Sequence, residues 1–266
     1  MQKVVFITGA SSGIGKSVAT YLHNKEYTVY GTSRNPDKVE VPFNMVALDV
    51  TKEDTIQKAV ETIVAKEGRI DVLINNAGKG ITGPIEDTPT NEMRANFDTN
   101  FFGVIDVIKA VLPQMRKQQS GMVINTTSIA GYMGLPFRGI YSASKGALEL
   151  VTEALSMEVK QFGIKVVNVA PGDFATNIAS GRYHTPVFEN SAYKEKYAEN
   201  LALMDAHVDS GMDPDVMAKA IHKIIENQRP KIHYKVGAFM EKFSIILKRA
   251  LPDKVYEKLL MNHYKL

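Results

Sequence analysis

The sequence predicts an α/β protein: one doubly wound domain on a mostly parallel sheet of about seven strands, with helices on both faces and a C-terminal helical tail. Three observations carry that expectation. Apolar β-rich runs alternate with helical ones, and strand–helix–strand repetition implies right-handed crossovers to parallel neighbours. Most of the strand runs are continuous in Val, Ile and Leu, which suits strands covered on both faces. No linker, repeat or charge block interrupts the pattern before residue 229, and a chain of 266 residues is compatible with one large domain.

In chain order the predicted strands are 4–8, 28–33, 44–48, 72–75, 122–126, 165–169 and 231–234. The predicted helices are 14–25, 52–67, 93–117, 141–162 and 214–227. Asp213 before Pro214 reads as an N-cap followed by proline at the first helical position. Residues 177–212 lack a strong strand pattern and mix Tyr183, Pro186, Phe188, Tyr193 and Tyr197 with polar residues. A lid or binding loop is one reading of them; a surface excursion with one packed helix is the other. The expected division is residues 1–236 as the catalytic domain, including a substrate loop at 177–212, and 237–266 as a tail packed on it.

In that tail Phe239, Phe243, Ile246, Leu247 and Ala250 recur at helical spacing, with Lys242, Lys248 and Arg249 between them. Pro252 ends that helix, and Val255, Tyr256, Leu259 and Leu260 mark a second. A basic amphipathic segment of this kind can cap the protein's own core, cover the mouth of a cleft, or lie on an anionic membrane. All three stay open. The cleft cover would go with an apolar pocket, which the aromatic-rich 177–212 stretch also suggests.

Composition excludes several classes. With 44% hydrophobic and 23% charged residues the chain can bury a core and is not a disordered one. It has no cysteine, which removes disulfide scaffolds, zinc–cysteine sites, iron–sulfur ligation and thiol catalysis. The first residues run at once into a β-branched strand, and no apolar run approaches the roughly 18 residues of a bilayer span. A cytoplasmic protein is expected. The net charge of +3 is uneven: from Arg229 onward nine Lys and Arg face three Asp and Glu. That basic stretch lacks the interleaved aromatics of a nucleic-acid platform. The six histidines show no metal-ligand spacing, and there is no G-x-S-x-G elbow.

The first strand runs straight into a glycine-rich turn and a helix: Gly9, Ser11, Ser12, Gly13, Ile14 and Gly15. Glycine lets such a turn approach a pyrophosphate, and the helix N-terminus offers unpaired N–H groups and positive dipole. Alone, it could be merely a tight connection. Tyr141 and Lys145 lie four apart on a predicted helix and so share a face. That spacing also occurs by chance at Tyr21 and Lys25, which read as helix surface. Ser128 at a strand end and Asn100 within another helix set the first pair apart.

Taken together, TGASSGIG at 8–15, NNAG at 75–78, NFFG at 100–103, S-x-A-G at 128–131, YSASK at 141–145 and PG at 171–172 with Thr176 resemble the short-chain dehydrogenase/reductase family in its shorter branch. The likeness is strong over residues 3–178 and loose over 213–236. It implies a Rossmann-type fold and assigns roles. Tyr141 would be the general acid/base, with Lys145 favouring its phenolate and bonding the nicotinamide ribose. Ser128 would hold the substrate oxygen, and Asn100 would position a water in the proton relay. Ser128 as a strand-end hydroxyl and Asn100 as a partner for helix backbone are the plainer alternatives. Asn76, with Ala77 and Gly78, matches the cofactor-contacting segment, while Asn75 reads as structural. Asp49 and Val50 match the pair flanking the adenine; Asp49 as a helix cap before Thr51 competes. Pro171, Gly172, Phe174 and Thr176 match the segment that holds the nicotinamide carboxamide.

The cofactor expected is NADP(H). Readers of NAD place an acid at the end of the second strand to bond the ribose 2′-hydroxyl. Here Ser33 stands there and Arg34 follows, a donor for a 2′-phosphate. The expectation is an NADP(H)-dependent oxidoreductase interconverting an alcohol with a ketone or aldehyde, on a lipophilic substrate, assembled as a homodimer or homotetramer. A catalytically silent dinucleotide sensor is the alternative; it would be expected to have lost the tyrosine or the lysine.

Overall fold

The computed structural model describes residues 2–175, 181–209 and 211–266. Its strands, in chain order, are β1 (Val4–Ile7), β2 (Thr28–Ser33), β3 (Asn44–Ala47), β4 (Val72–Asn75), β5 (Ile81–Thr82), β6 (Gly121–Thr126), β7 (Ile164–Pro171), β8 (Tyr183–His184) and β9 (His233–Val236). Seven of them form one sheet in the order β3-β2-β1-β4-β6-β7-β9, every pair parallel. The chain winds outward from β1 to β3, then crosses back to β4 and winds the other way. A topological switch therefore falls between β1 and β4, where such sheets open a crevice beyond their strand ends. The expected fold class is what the chain adopts.

The helices are α1 (Gly13–His23), α2 (Glu53–Glu67), α3 (Thr90–Phe97), α4 (Gly103–Gln118), α5 (Gly139–Glu158), α6 (Lys194–Asp209), α7 (Pro214–Glu226), α8 (Phe239–Ala250) and α9 (Asp253–Tyr264). Strand residues alternate between two cores. Val4 and Phe6 face a core shared with Ile63 of α2, Val107 of α4 and Leu148 of α5. Val5 and Ile7 face another, with Val18 and Leu22 of α1 and Met217 and Ile221 of α7. Both faces being covered explains why the central strands, such as VVFI of β1 and VLIN of β4, are largely apolar rather than alternating.

Four expectations change in detail. The helix expected over 93–117 is two, α3 and α4, joined by a π-helical turn at Asp98–Phe102. The extra residue in that turn keeps Asn96 and Asn100 both buried and aimed at the Lys79 backbone. The last strand begins two residues late, because the 230–232 stretch after Pro230 supplies only the Ile232 carbonyl to β7. The 177–212 stretch holds a short strand, β8, paired with β5, and the helix α6. In the tail, Ile245, Tyr256 and Tyr264 are the buried hydrophobic side chains, and Ile245 and Tyr256 pack on Ile129, Met133 and Ala170. Much of the expected stripe faces outward instead, with Phe239 73% and Ile246 57% exposed. Glu241, Ser244, Ile245, Leu247 and Arg249 are among the residues by which α8 meets the body.

Candidate active site

At the switch point opens a cleft of about 770 Å³, lined by the β1–α1 turn, the end of β2, the segments after β3 and β4, and the first turns of α5. Every residue from the glycine turn named above borders it, as do Ser33, Arg34, Asp49, Val50, Asn76, Ala77, Gly78, Tyr141, Lys145 and Pro171. Gly9 sits in the left-handed region at φ 68°, and Gly15 admits no side chain. A Cβ there would lie 2.2 Å from the Gly9 carbonyl oxygen and 2.4 Å from Asn76 Nδ2. Asn76 closes the packing by donating Nδ2 to the carbonyls of Thr8 and Gly9, at 3.2 and 3.0 Å. The start of α1 has no side-chain cap and no acid in its first turn, so its N–H groups face the cleft. Asn75 is buried and donates to Asn125 at 2.9 Å, within the sheet.

Asp49 serves both its readings. It borders the cleft, and its carboxylate accepts from the Thr51 N–H at 3.0 Å and hydroxyl at 2.8 Å. Burial pushes its carboxyl up, but those two bonds, with Arg34 and Lys52 nearby, outweigh that and hold it below the usual carboxylate range.

A smaller recess of about 70 Å³ adjoins the cleft; Ile14, Tyr141 and Pro171 line both. Ser128, Gly172 and Phe174 line the recess alone. Ser128 caps the 3-10 turn Ile129–Tyr132, its Oγ accepting from the Ala130 N–H at 3.1 Å, which leaves its own proton to donate. Lys145 is buried, and its ammonium donates to the Thr126 carbonyl at 2.9 Å. Burial pushes it down to about 8, while the Glu149 carboxylate pulls it back up. Asn100 is fully buried beneath the cleft. It donates to the Lys79 carbonyl and accepts from the Lys79 N–H, each at 2.9 Å. A Cβ on Gly78 would lie 3.1 Å from Asn100 Oδ1 and 3.5 Å from Lys145 Nζ, so the two polar ends converge on one point. Thr176 lies outside the described residues. Tyr21 and Lys25 lie away from both cavities, the ammonium over its neighbour's ring.

Sequence reasoning missed Arg138, Asp173 and Arg182, which also line the recess beside the apolar Ile14, Ile81 and Phe174. The aromatics of the 177–212 stretch do not border it among the described residues: Tyr197 is buried against Phe137, and Phe188 and Tyr193 are exposed. Phe137 is held at φ 57°, a left-handed conformation costly for a bulky residue, and Arg138 follows it directly. The Arg138 guanidinium lies 5.7 Å from the Tyr141 ring centroid, with Tyr264 of the tail buried beside it. Glu241 was missed as well. Its carboxylate accepts the N–H groups of Asp173 at 2.7 Å and Ala238 at 2.6 Å, in space that a Cβ on Gly172 would fill.

The short chain dehydrogenase family model matches residues 3–186. The chain belongs to that family. It is an oxidoreductase of it, and relatives span its whole length. It is 41% identical to 3-ketodihydrosphingosine reductase of Bacteroides thetaiotaomicron over 98% of each chain. Among solved structures it resembles a short-chain dehydrogenase from Streptomyces avermitilis, with TM-score 0.84 and 32% identity over 100% of this chain and 96% of that one. ElxO, solved with NADP bound, has TM-score 0.71 and 29% identity over 89% of this chain and 97% of its own. No helix among the described residues is long and apolar enough to cross a membrane.

Proposed function

We propose that this protein is an NADP(H)-dependent reductase of a long-chain ketone carrying polar groups near its carbonyl, of the 3-ketodihydrosphingosine kind. The observation that carries the reading is Tyr141 at the junction of a dinucleotide-sized cleft with a recess of mixed polar and apolar lining. The likeness to 3-ketodihydrosphingosine reductase across both chains supports the substrate class.

The cleft fits the dinucleotide through its own donors. The uncapped start of α1 and the crowded glycine turn suit a pyrophosphate, and Ser33 and Arg34 a 2′-phosphate. Asp49 and Val50 flank the adenine; Asn76, Ala77 and Gly78 border the riboses; Pro171, Gly172 and Phe174, with Thr176, hold the carboxamide. When bound, the cofactor supplies the hydride. Ser128 donates to the substrate oxygen, and Tyr141 gives that oxygen its proton or takes it back in the reverse direction. Lys145 holds the ribose hydroxyls and favours the phenolate. Asn100 supports the relay from below, through its bonds to Lys79. The tail, 237–266, packs on the catalytic domain of 1–236, and the segment 177–212 borders the substrate. We place the protein in the cytoplasm as a homodimer or homotetramer. A silent sensor has nothing to recommend it where tyrosine and lysine are both present.

Following absorbance of the reduced cofactor with 3-ketodihydrosphingosine and with short ketones tests the reading. NADPH should be preferred over NADH by at least tenfold, and Arg34→Ala should erase the preference. Tyr141→Phe should abolish turnover yet still bind NADPH. Turnover of short polar ketones alone, or an active Tyr141→Phe, would overturn it.

A further inference from the structure

Glu149 is a buried acid that none of the roles above uses. It lies one turn beyond Lys145 and two beyond Tyr141 on α5, only 5% exposed. An uncompensated carboxylate in such a place is costly, yet this one is surrounded by donors. Oε1 accepts a short bond from the Thr127 hydroxyl, the residue before Ser128. Oε2 accepts from the Tyr132 hydroxyl at 2.9 Å, the end of the turn that Ser128 caps. Oε2 also lies 3.0 Å from His233 Nδ1 on β9, whose Nε2 is 3.0 Å from Glu153. The Glu149 backbone carbonyl takes Asn168 Nδ2 at 3.2 Å. Farther out, Lys235 of β9 and Arg249 of α8 lie over the Tyr132 ring, at 5.1 and 5.9 Å.

We propose that Glu149 is a positioning residue: through Thr127 and Tyr132 its carboxylate fastens the Ser128 segment to the helix bearing Tyr141 and Lys145, and it sets a negative charge one helical turn from the Lys145 ammonium. The proposal rests on the roles given above to Tyr141, Ser128 and Lys145. Stability alone gives no reason for an acid here, since a buried ion pair adds little over apolar packing. The placement gives one: the Glu149 charge raises the ammonium that burial lowers, and the bonds to Thr127 and Tyr132 bracket the residue that faces the substrate.

Glu149→Gln keeps the shape and the acceptor for Thr127 but removes the charge. The NADPH dissociation constant, read by cofactor fluorescence from about pH 6 to 10, and kcat over the same range should both report it. In Glu149→Gln the alkaline loss of binding and of turnover should move to lower pH by roughly one unit, so kcat falls about fivefold at pH 8, approaches a tenfold loss above about pH 9, and hardly changes at pH 6. Glu149→Asp keeps the charge but shortens the reach. Its alkaline limb should stay where the wild type has it, while kcat falls evenly at every pH. A Glu149→Gln limb that does not move, with melting temperature and activity reduced alike at all pH values, would overturn the proposal and leave a structural acid. A Glu149→Asp limb shifted toward lower pH would also overturn it, and that variant decides the matter if Glu149→Gln does not fold. The roles themselves fail separately: an active Tyr141→Phe would remove them, whatever the Glu149 variants do to NADPH binding.

Discussion

Lys145 sets a pH limit that follows from where it lies. Burial lowers its ammonium to about 8 from an ordinary value of 10.5. The folded chain therefore holds this proton less tightly than the unfolded chain does. The buried charge costs stability below about pH 8, and the cost is relieved as pH rises toward the unfolded value. On the proposed function the activity runs the opposite way, because the ammonium is the form assigned there to the ribose and to favouring the phenolate. Turnover and NADPH affinity should fall as pH rises through about 8, while the melting temperature shows no matching loss there. A pH–rate profile beside a calorimetric series checks this; activity flat to pH 10 would contradict it. At this scale the sequence was readable wherever chemistry is local. Tyr141 and Lys145 share a helix face, and Gly9 to Gly15 form one turn. Arg138, Asp173 and Arg182 come from three separate segments, and only tertiary packing brings them to one recess. Glu149 could have been found, as an acid at a position the helical period buries.

Among the elements, strands were legible and interruptions were not. All seven sheet strands were anticipated; the central ones show as apolar runs because both their faces are buried, while the edge strands Asn44–Ala47 and His233–Val236 are more polar and only partly buried. The π-helical turn at Asp98–Phe102 left no such mark: one extra residue per turn rotates the later face without changing its composition. The tail misled for another reason. Its apolar spacing is helical, but α8 meets the body through Glu241, and the outer stripe stays exposed. Glu241 accepts from the Asp173 N–H, next to Gly172, and from the Ala238 N–H at the start of its own helix, and so ties α8 to the segment that lines the recess. Glu241→Ala should therefore leave two N–H groups without this acceptor and loosen that segment. We expect KM for NADPH to rise several-fold and kcat to fall, with a melting-temperature loss of a few degrees. Glu241→Gln, which keeps one acceptor, should recover part of the KM. Unchanged KM in both variants would make the contact incidental.

The whole molecule presents two apolar surfaces that its own core does not use. On one side Leu150 and Met157 of α5 are 68% and 71% exposed, with Phe102 before α4 at 54%. Leu148 and Leu155 of α5 pack inward against the sheet. A face of that kind is where a second copy would bind, so light scattering should give a dimer or tetramer, and Leu150→Lys with Met157→Glu should give monomers. On the other side lies the tail, basic overall and touching the recess through Glu241 and through Tyr264 beside Arg138. It also meets α6, where Lys196 donates to the Lys265 carbonyl at 2.9 Å. The tail thus joins the recess wall to α6, as a cleft cover would. Capping the protein's own core accounts for Ile245 and Tyr256 but not for these reaches. Deleting 238–266 should therefore raise KM for long-chain ketones more than for short ones, by about tenfold against about twofold if the lost apolar contact is worth 1–2 kcal/mol. An equal loss on both, with a lowered melting temperature, would reduce the tail to a structural cap. Binding of the intact chain to anionic vesicles, lost on deletion, would instead assign the exposed Phe239, Met240 and Ile246 to a membrane surface.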